Sequence, residues 1–119
     1  KLDSGLVRIN GGEENGGFDL ISNDNTVYYE AGMNDAKAYY ELGEAQKANA
    51  IVNAVANNSV EYIRWIKSLD REQRKTISNT YEQHVYILQI VLDTLGRYDK
   101  DKKLFNKYFE TCQSLGLLQ

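Results

Sequence analysis

The sequence predicts an all-α domain. Apolar residues recur at three- and four-residue spacing over most of the chain beyond residue 30, which lines one face of a helix. Proline is absent throughout. Most glycines cluster ahead of residue 33, leaving Gly43, Gly96 and Gly116 at places where a helical period runs out. The expected architecture is a set of antiparallel helical hairpins, either tetratricopeptide-like or a compact four-helix arrangement.

Composition divides the chain in two. Residues 1–30 set Lys1 and Arg8 against Asp3, Glu13, Glu14, Asp19, Asp24 and Glu30 and are rich in Gly and Asn. They read as an irregular acidic leader. Leu6, Val7 and Ile9, then Phe18, Leu20 and Ile21, permit two short strands around Asn10–Gly17, but an eight-residue connection is long for a hairpin. The leader has neither a GxGxxG nor a GxxxxGK[ST] phosphate loop. Residues 31–119 form the expected helical-hairpin domain.

The first helix ends at Leu42. Its start is set either by Asn25 or Thr26, with Gly32 as a weak point inside, or by Asn34 or Asp35. Met33, Ala36, Tyr39 and Tyr40 give it an apolar face. Gly43 then turns the chain, and Ala48 is small enough to let two helices approach. A long second helix over 44–68 carries Ala48, Ile51, Val52, Val55, Val60, Ile63 and Ile66 inward, with Asn57-Asn58-Ser59 as a possible bend or break. Asp70 and Gln73 make a capping box that opens a third helix over 71–96. Its face is Ile77, Tyr81, Val85, Leu88, Leu92 and Leu95. Asp99 or Asp101 opens a fourth over 100–114, with Leu104, Phe105, Tyr108, Phe109 and Cys112 inward and Gly116 as its stop. Tyr39–Gly43 and Leu92–Gly96 form a faint internal echo, which places a second hairpin turn at Gly96.

Several function classes lose support here. A formal charge of −3 and a pI of about 5.1 weigh against a dedicated nucleic-acid binder. Cys112 is the sole cysteine, so no internal disulfide forms and no compartment is identified. No run approaches the roughly 20 apolar residues of a membrane span. The chain begins at Lys1, which fits a processed product or a piece of a larger protein. No metal or cofactor motif is present: His84 is the sole histidine, and HExxH does not occur.

Tyr39 or Tyr40, Gly43, Ala48, Val52 and Val55 follow partial tetratricopeptide spacing, without the early tryptophan, Leu-Gly pair or closing proline of that repeat. The stretch AYYELGEAQKANAIVNAVANNSVEYIRWIKSLDREQR, Ala38–Arg74, continues as ISNTYEQHVYILQIVLDTL, Ile77–Leu95. Together they resemble the soluble C-terminal helical region of large polytopic Bacteroidetes membrane proteins described as glycosyltransferase-like or protein O-mannosyltransferase-like. The resemblance implies that catalysis belongs to a membrane region elsewhere. It makes this chain an accessory domain in the periplasm or on the outer face of the inner membrane.

Residues with chemical potential are sparse. Tyr39, Tyr40, Tyr62, Trp65, Tyr81 and Tyr86 would form a concave aromatic surface in a stacked array, suited to a protein or peptide and, as a further option, a glycan. Arg97, Lys100, Lys102, Lys103 and Lys107 are the main basic concentration and read as a solvated helix opening, with phosphate, a membrane surface or an acidic partner as alternatives. Glu82 and His84 lie two apart on a helix and do not face one another. The leading expectation is a non-catalytic interaction or accessory domain. One alternative is a small helical hydrolase or transferase using His84 with Cys112 or a carboxylate; another is a structural dimerisation bundle.

Overall fold

A computed structural model describes residues 26–75 and 78–118; the leader over 1–25 and its two suggested strands lie outside the described residues. The order is α1 (Thr26–Glu41), α2 (Ala45–Lys67), α3 (Arg71–Lys75), α4 (Ser78–Tyr98) and α5 (Lys103–Ser114). The all-α expectation holds, with no strand among the described residues.

Helix α1 takes the early start, at Thr26, so helix begins ahead of the boundary that composition places at residue 30. Gly32 is buried inside it, and Tyr29, Met33, Ala36 and Tyr39 form its inward stripe. The helix ends in a Schellman motif. The Glu44 amide donates to the Tyr39 carbonyl at 2.9 Å and the Gly43 amide to Tyr40 at 3.1 Å, with Gly43 at φ 80°. Gly116 closes α5 in the same way: Leu117 N reaches Cys112 O at 2.9 Å and Gly116 N reaches Gln113 O at 3.0 Å.

Helix α2 runs unbroken through Asn57-Asn58-Ser59, because the three side chains are engaged without displacing its backbone ladder. Asn57 accepts from the Tyr108 hydroxyl at 3.3 Å, Asn58 donates to the Ala54 carbonyl at 2.8 Å, and Ser59 pairs with His84. Within the span expected for the third helix the structure describes α3 and α4; residues 76–77 between them, with the expected inward Ile77, lie outside the described residues. The capping box at its head is present: Gln73 N donates to Asp70 Oδ1 at 2.9 Å and Asp70 N to Gln73 Oε1 at 3.1 Å. The Arg74 guanidinium returns to the Leu69 and Lys67 carbonyls, both at 3.0 Å, and covers the end of α2.

The expected turn at Gly96 is corrected. Gly96 lies within α4, and a Cβ there would meet the Phe105 ring at 3.6 Å. The turn falls at 99–102, where two acids accept backbone amides: Asp99 from Phe105 at 2.8 Å and Asp101 from Lys103 at 3.0 Å. Lys102 takes a left-handed conformation, φ 62°, just before α5. The echo between Gly43 and Gly96 is therefore one of composition: one glycine bends the chain, and the other lies inside a helix beside a ring.

Helices α1 and α2 form an antiparallel hairpin, α4 packs against both, and α5 returns along α4. Thr26 Oγ1 meets Gln83 Oε1 at 3.2 Å near the starts of α1 and α4, and Tyr98 donates to Glu41 at 2.6 Å near their ends. These two helices consequently run in the same direction. The main core joins Met33 and Ala36 of α1, Ile51, Val52, Val55 and Ile63 of α2, Leu88, Val91 and Leu95 of α4, and Tyr108 and Cys112 of α5. No single hairpin could bury all of these stripes.

Candidate functional site

The enzyme alternative turns on His84, which sits in the interior, 2% exposed. Its Nδ1 lies 3.0 Å from Ser59 Oγ. The Tyr62 ring stacks on the imidazole at 4.0 Å between centroids, and Tyr29 meets it edge-on at 5.5 Å. A serine bonded to a histidine is the beginning of a nucleophile–base pair. Ser59, however, is fully buried, and aromatic rings cover the imidazole, so the pair has no open approach for a substrate. Glu82 lies on the exposed side of α4. Cys112 is buried on α5, and desolvation raises its thiol pKa, which disfavours the thiolate a nucleophile needs. The residues offered for catalysis are thus spent on packing or left on the surface.

The aromatic surface also needs correction, since side-chain direction along each helix divides it. Tyr39 and Tyr62 are buried core residues. Trp65, half-exposed, tilts against Tyr62 at 6.0 Å, and Tyr81 packs beside Tyr62 and Ile66. Tyr40 stands at the opposite end of the α1–α4 pair, stacked on Tyr98 at 5.0 Å with the planes 6° apart. Tyr86 is solvent-exposed on α4. These rings make separate groups and no continuous concave wall.

A different feature emerges where α1 lies along α4. Lys37 of α1 and Ile90, Asp93, Thr94, Arg97 and Tyr98 of α4 enclose a recess of about 170 Å³. Arg97 and Tyr98 also border a larger recess of about 420 Å³, which extends past Tyr40 and Asn49 to the loop at Asp99–Asp101. The two form one cleft, with the Tyr40–Tyr98 stack inside it. Tyr98 donates to Glu41, and that hydrogen bond is the first cause raising its phenol pKa. Tyr40 donates to Asn49; burial, then the Asp99 charge, pushes its pKa up to about 12.

Charges in the cleft are unevenly engaged. Glu41 accepts from Tyr98, while Asp99 and Asp101 accept backbone amides. Lys37, Arg97 and Lys100 form no ion pair among the described residues. Arg97 lies 5.9 Å from the Tyr98 ring centroid. At the recess wall Thr94 is 2% exposed, and its Oγ1 has no hydrogen-bond partner among the described residues. Helical threonines commonly return that hydroxyl to the preceding turn, and buried hydroxyls are rarely left without a partner.

Sequence reading found Arg97 and Lys100 as part of a basic run, but missed Lys37, Thr94 and the Ser59–His84 pair. A signal existed for two of them. Lys37 falls on the stripe of Met33 and Tyr40, and Thr94 on that of Ile87, Val91 and Tyr98, so each is a polar residue set into an apolar face. Ser59 and His84 are 25 positions apart on separate helices, and no local spacing connects them.

Among the described residues no cluster of His, Cys, Asp and Glu is arranged to hold a metal ion, and no helix is long and apolar enough to cross a membrane. Comparison with family models, curated proteins and solved structures finds no match.

Proposed function

We propose that this chain is a non-catalytic helical interaction domain that seats another polypeptide in the cleft between α1 and α4. In this reading the α1–α2 and α4–α5 hairpins stack in tetratricopeptide-like fashion, and the domain serves a membrane-bound glycosyltransferase-like protein from the periplasmic side. The carrying observation is the contrast between two places. The cleft is open and lined by side chains without ionic partners, whereas His84, Ser59 and Cys112 are locked in the packing. The family resemblance of Ala38–Leu95 supports the accessory role.

Photo-crosslinking tests the reading. A benzophenone side chain is placed at Tyr86 or Ile90, on the cleft face of α4, and at exposed Phe109 on α5 as the comparison. The first two positions are expected to capture the same polypeptide, with little capture from the third. Equal capture from all three, or turnover of a peptide or glycan substrate by the chain itself, would overturn the proposal.

A further inference from the structure

We propose that the wider recess of the cleft binds an uncharged carbohydrate, with a sugar ring against the Tyr40–Tyr98 stack and its hydroxyls shared between Asn49 and Asp101. This goes beyond the polypeptide seat and does not depend on it: Tyr40, Asn49 and Asp101 line the wider recess alone, and the crosslinking position Ile90 the narrower one. The first argument is electrostatic balance. Two bases, Arg97 and Lys100, stand against two acids, Asp99 and Asp101, around the wider recess, so its lining is formally neutral. An ion of either sign meets attraction and repulsion alike there. An uncharged ligand also avoids the cost of stripping water from a net charge.

The second argument is the mixture of hydrogen bonding on offer. Asp99 and Asp101 each commit one carboxylate oxygen to a backbone amide and keep the other. Asn49 accepts from Tyr40 with one end of its amide, and the other end stays open. Arg97 pairs with no carboxylate among the described residues. Donors and acceptors are therefore both on hand around one recess. A hydroxyl donates and accepts, so a ligand carrying several of them matches this mixture, whereas a carboxylate or an ammonium uses only half of it.

The third argument is the aromatic stack. Its ring centroids are 5.0 Å apart with the planes 6° from parallel. Stacked carbons touch at about 3.5–4.0 Å, so the two rings are slid past one another and part of each face stays uncovered. Both rings are half-buried and border the recess. The C–H face of a pyranose ring is flat and apolar and packs on such a surface, while its hydroxyls project sideways towards the polar groups. Size agrees. About 420 Å³ falls within the several hundred Å³ of typical small-molecule sites.

The test is amide NMR of the whole chain, titrated with the methyl glycosides of glucose, galactose and mannose. At least one is expected to shift the amides of Gly43, Asn49, Tyr98 and Asp101 saturably, with a millimolar Kd, and to leave that of Trp65 unmoved. Added salt should change this Kd by less than about twofold, since no charge is neutralised. Asp101→Asn keeps an acceptor for the Lys103 amide but turns the free oxygen into a donor, and should weaken binding about fivefold. Tyr98→Leu removes the ring and should weaken it about tenfold, whereas Tyr98→Trp restores a ring face and retains it. Both Tyr98 variants lose the hydrogen bond to Glu41, so a difference between them reports the ring face and not that bond. Lys67→Gln, outside the cleft, should leave Kd unchanged, and the same spectra verify that each variant is folded. The proposal is overturned if none of the glycosides gives a saturable shift at the recess. Equal shifts from glycerol or from zwitterionic glycine betaine, or a Tyr98→Leu variant that binds like the parent, would also overturn it. If the glycosides bind while positions 86 and 90 capture nothing, the sugar site stands and the polypeptide seat falls; the reverse outcome removes the sugar site alone.

Discussion

Ser59 Oγ and His84 Nδ1 lie 3.0 Å apart inside the protein, joining α2 to α4 where both are otherwise packed by rings and aliphatic chains. Ser59→Ala removes the partner of a buried ring nitrogen and should cost about 1–3 kcal/mol. His84→Phe keeps the stacking on Tyr62 but orphans the hydroxyl. Urea denaturation of the two single variants and the double variant should give a coupling of about 1 kcal/mol. Strict additivity would show that the contact contributes nothing.

The glycines of the two loops should respond in opposite directions. Gly43 sits at φ 80°, where an added Cβ is strained, so Gly43→Ala should destabilise by about 1 kcal/mol. Gly96 is helical, and its added Cβ would make ordinary contact with Phe105 at 3.6 Å. Gly96→Ala should therefore stabilise by about 0.5–1 kcal/mol. Thermal and chemical denaturation of the two variants checks both signs.

Alkaline pH should unfold the domain over a defined window. Burial pushes the Tyr108 pKa from 10.0 up to about 12, and Tyr40 moves likewise. The folded state binds these protons more tightly than the unfolded chain does. Their contribution is thus complete below pH 10 and declines as pH rises from there towards 12. Denaturation midpoints followed across that range, alongside tyrosinate absorbance, should fall as the phenols ionise. Tyr108→Phe should flatten the fall and, at neutral pH, lower stability by removing the donor to Asn53 and Asn57.

Leu88 is 1% exposed at the junction of the helices, and Leu88→Ala should cost about 2–5 kcal/mol. Leu42 is 66% exposed in the α1–α2 turn; Leu42→Ser should stay within about 0.5 kcal/mol of the parent. A large loss at Leu42 would mean that it is covered in solution. Comparing the two denaturation midpoints decides.

The helices were legible because their signals are local. Gly43 ends α1, Asp70 and Gln73 cap α3 reciprocally, and the inward stripe of α2 follows from spacing alone; on α4 the expected Leu88 and Leu95 are buried, but the core face turns to Ile87 and Val91 and leaves Tyr81, Val85 and Leu92 half-buried. Gly96 misled because its dipeptide copies the Leu-Gly of the first turn, while the stop signal lies in acid side chains a few residues on. Asn57-Asn58-Ser59 looked like a break because the partners that occupy those side chains, Tyr108 and His84, belong to later helices. The cleft was hidden for a related reason. Lys37 and Arg97 come to line one recess only after α1 has folded beside α4, and nothing in either segment names the other.

The ties from Thr26 to Gln83 and from Tyr98 to Glu41 act as clasps at the two ends of the α1–α4 pair. They hold α1 and α4 side by side before any guest arrives. A binding partner then spends little of its contact energy on arranging its host, and cutting the Thr26–Gln83 clasp should loosen the grip without touching a group that lines the cleft.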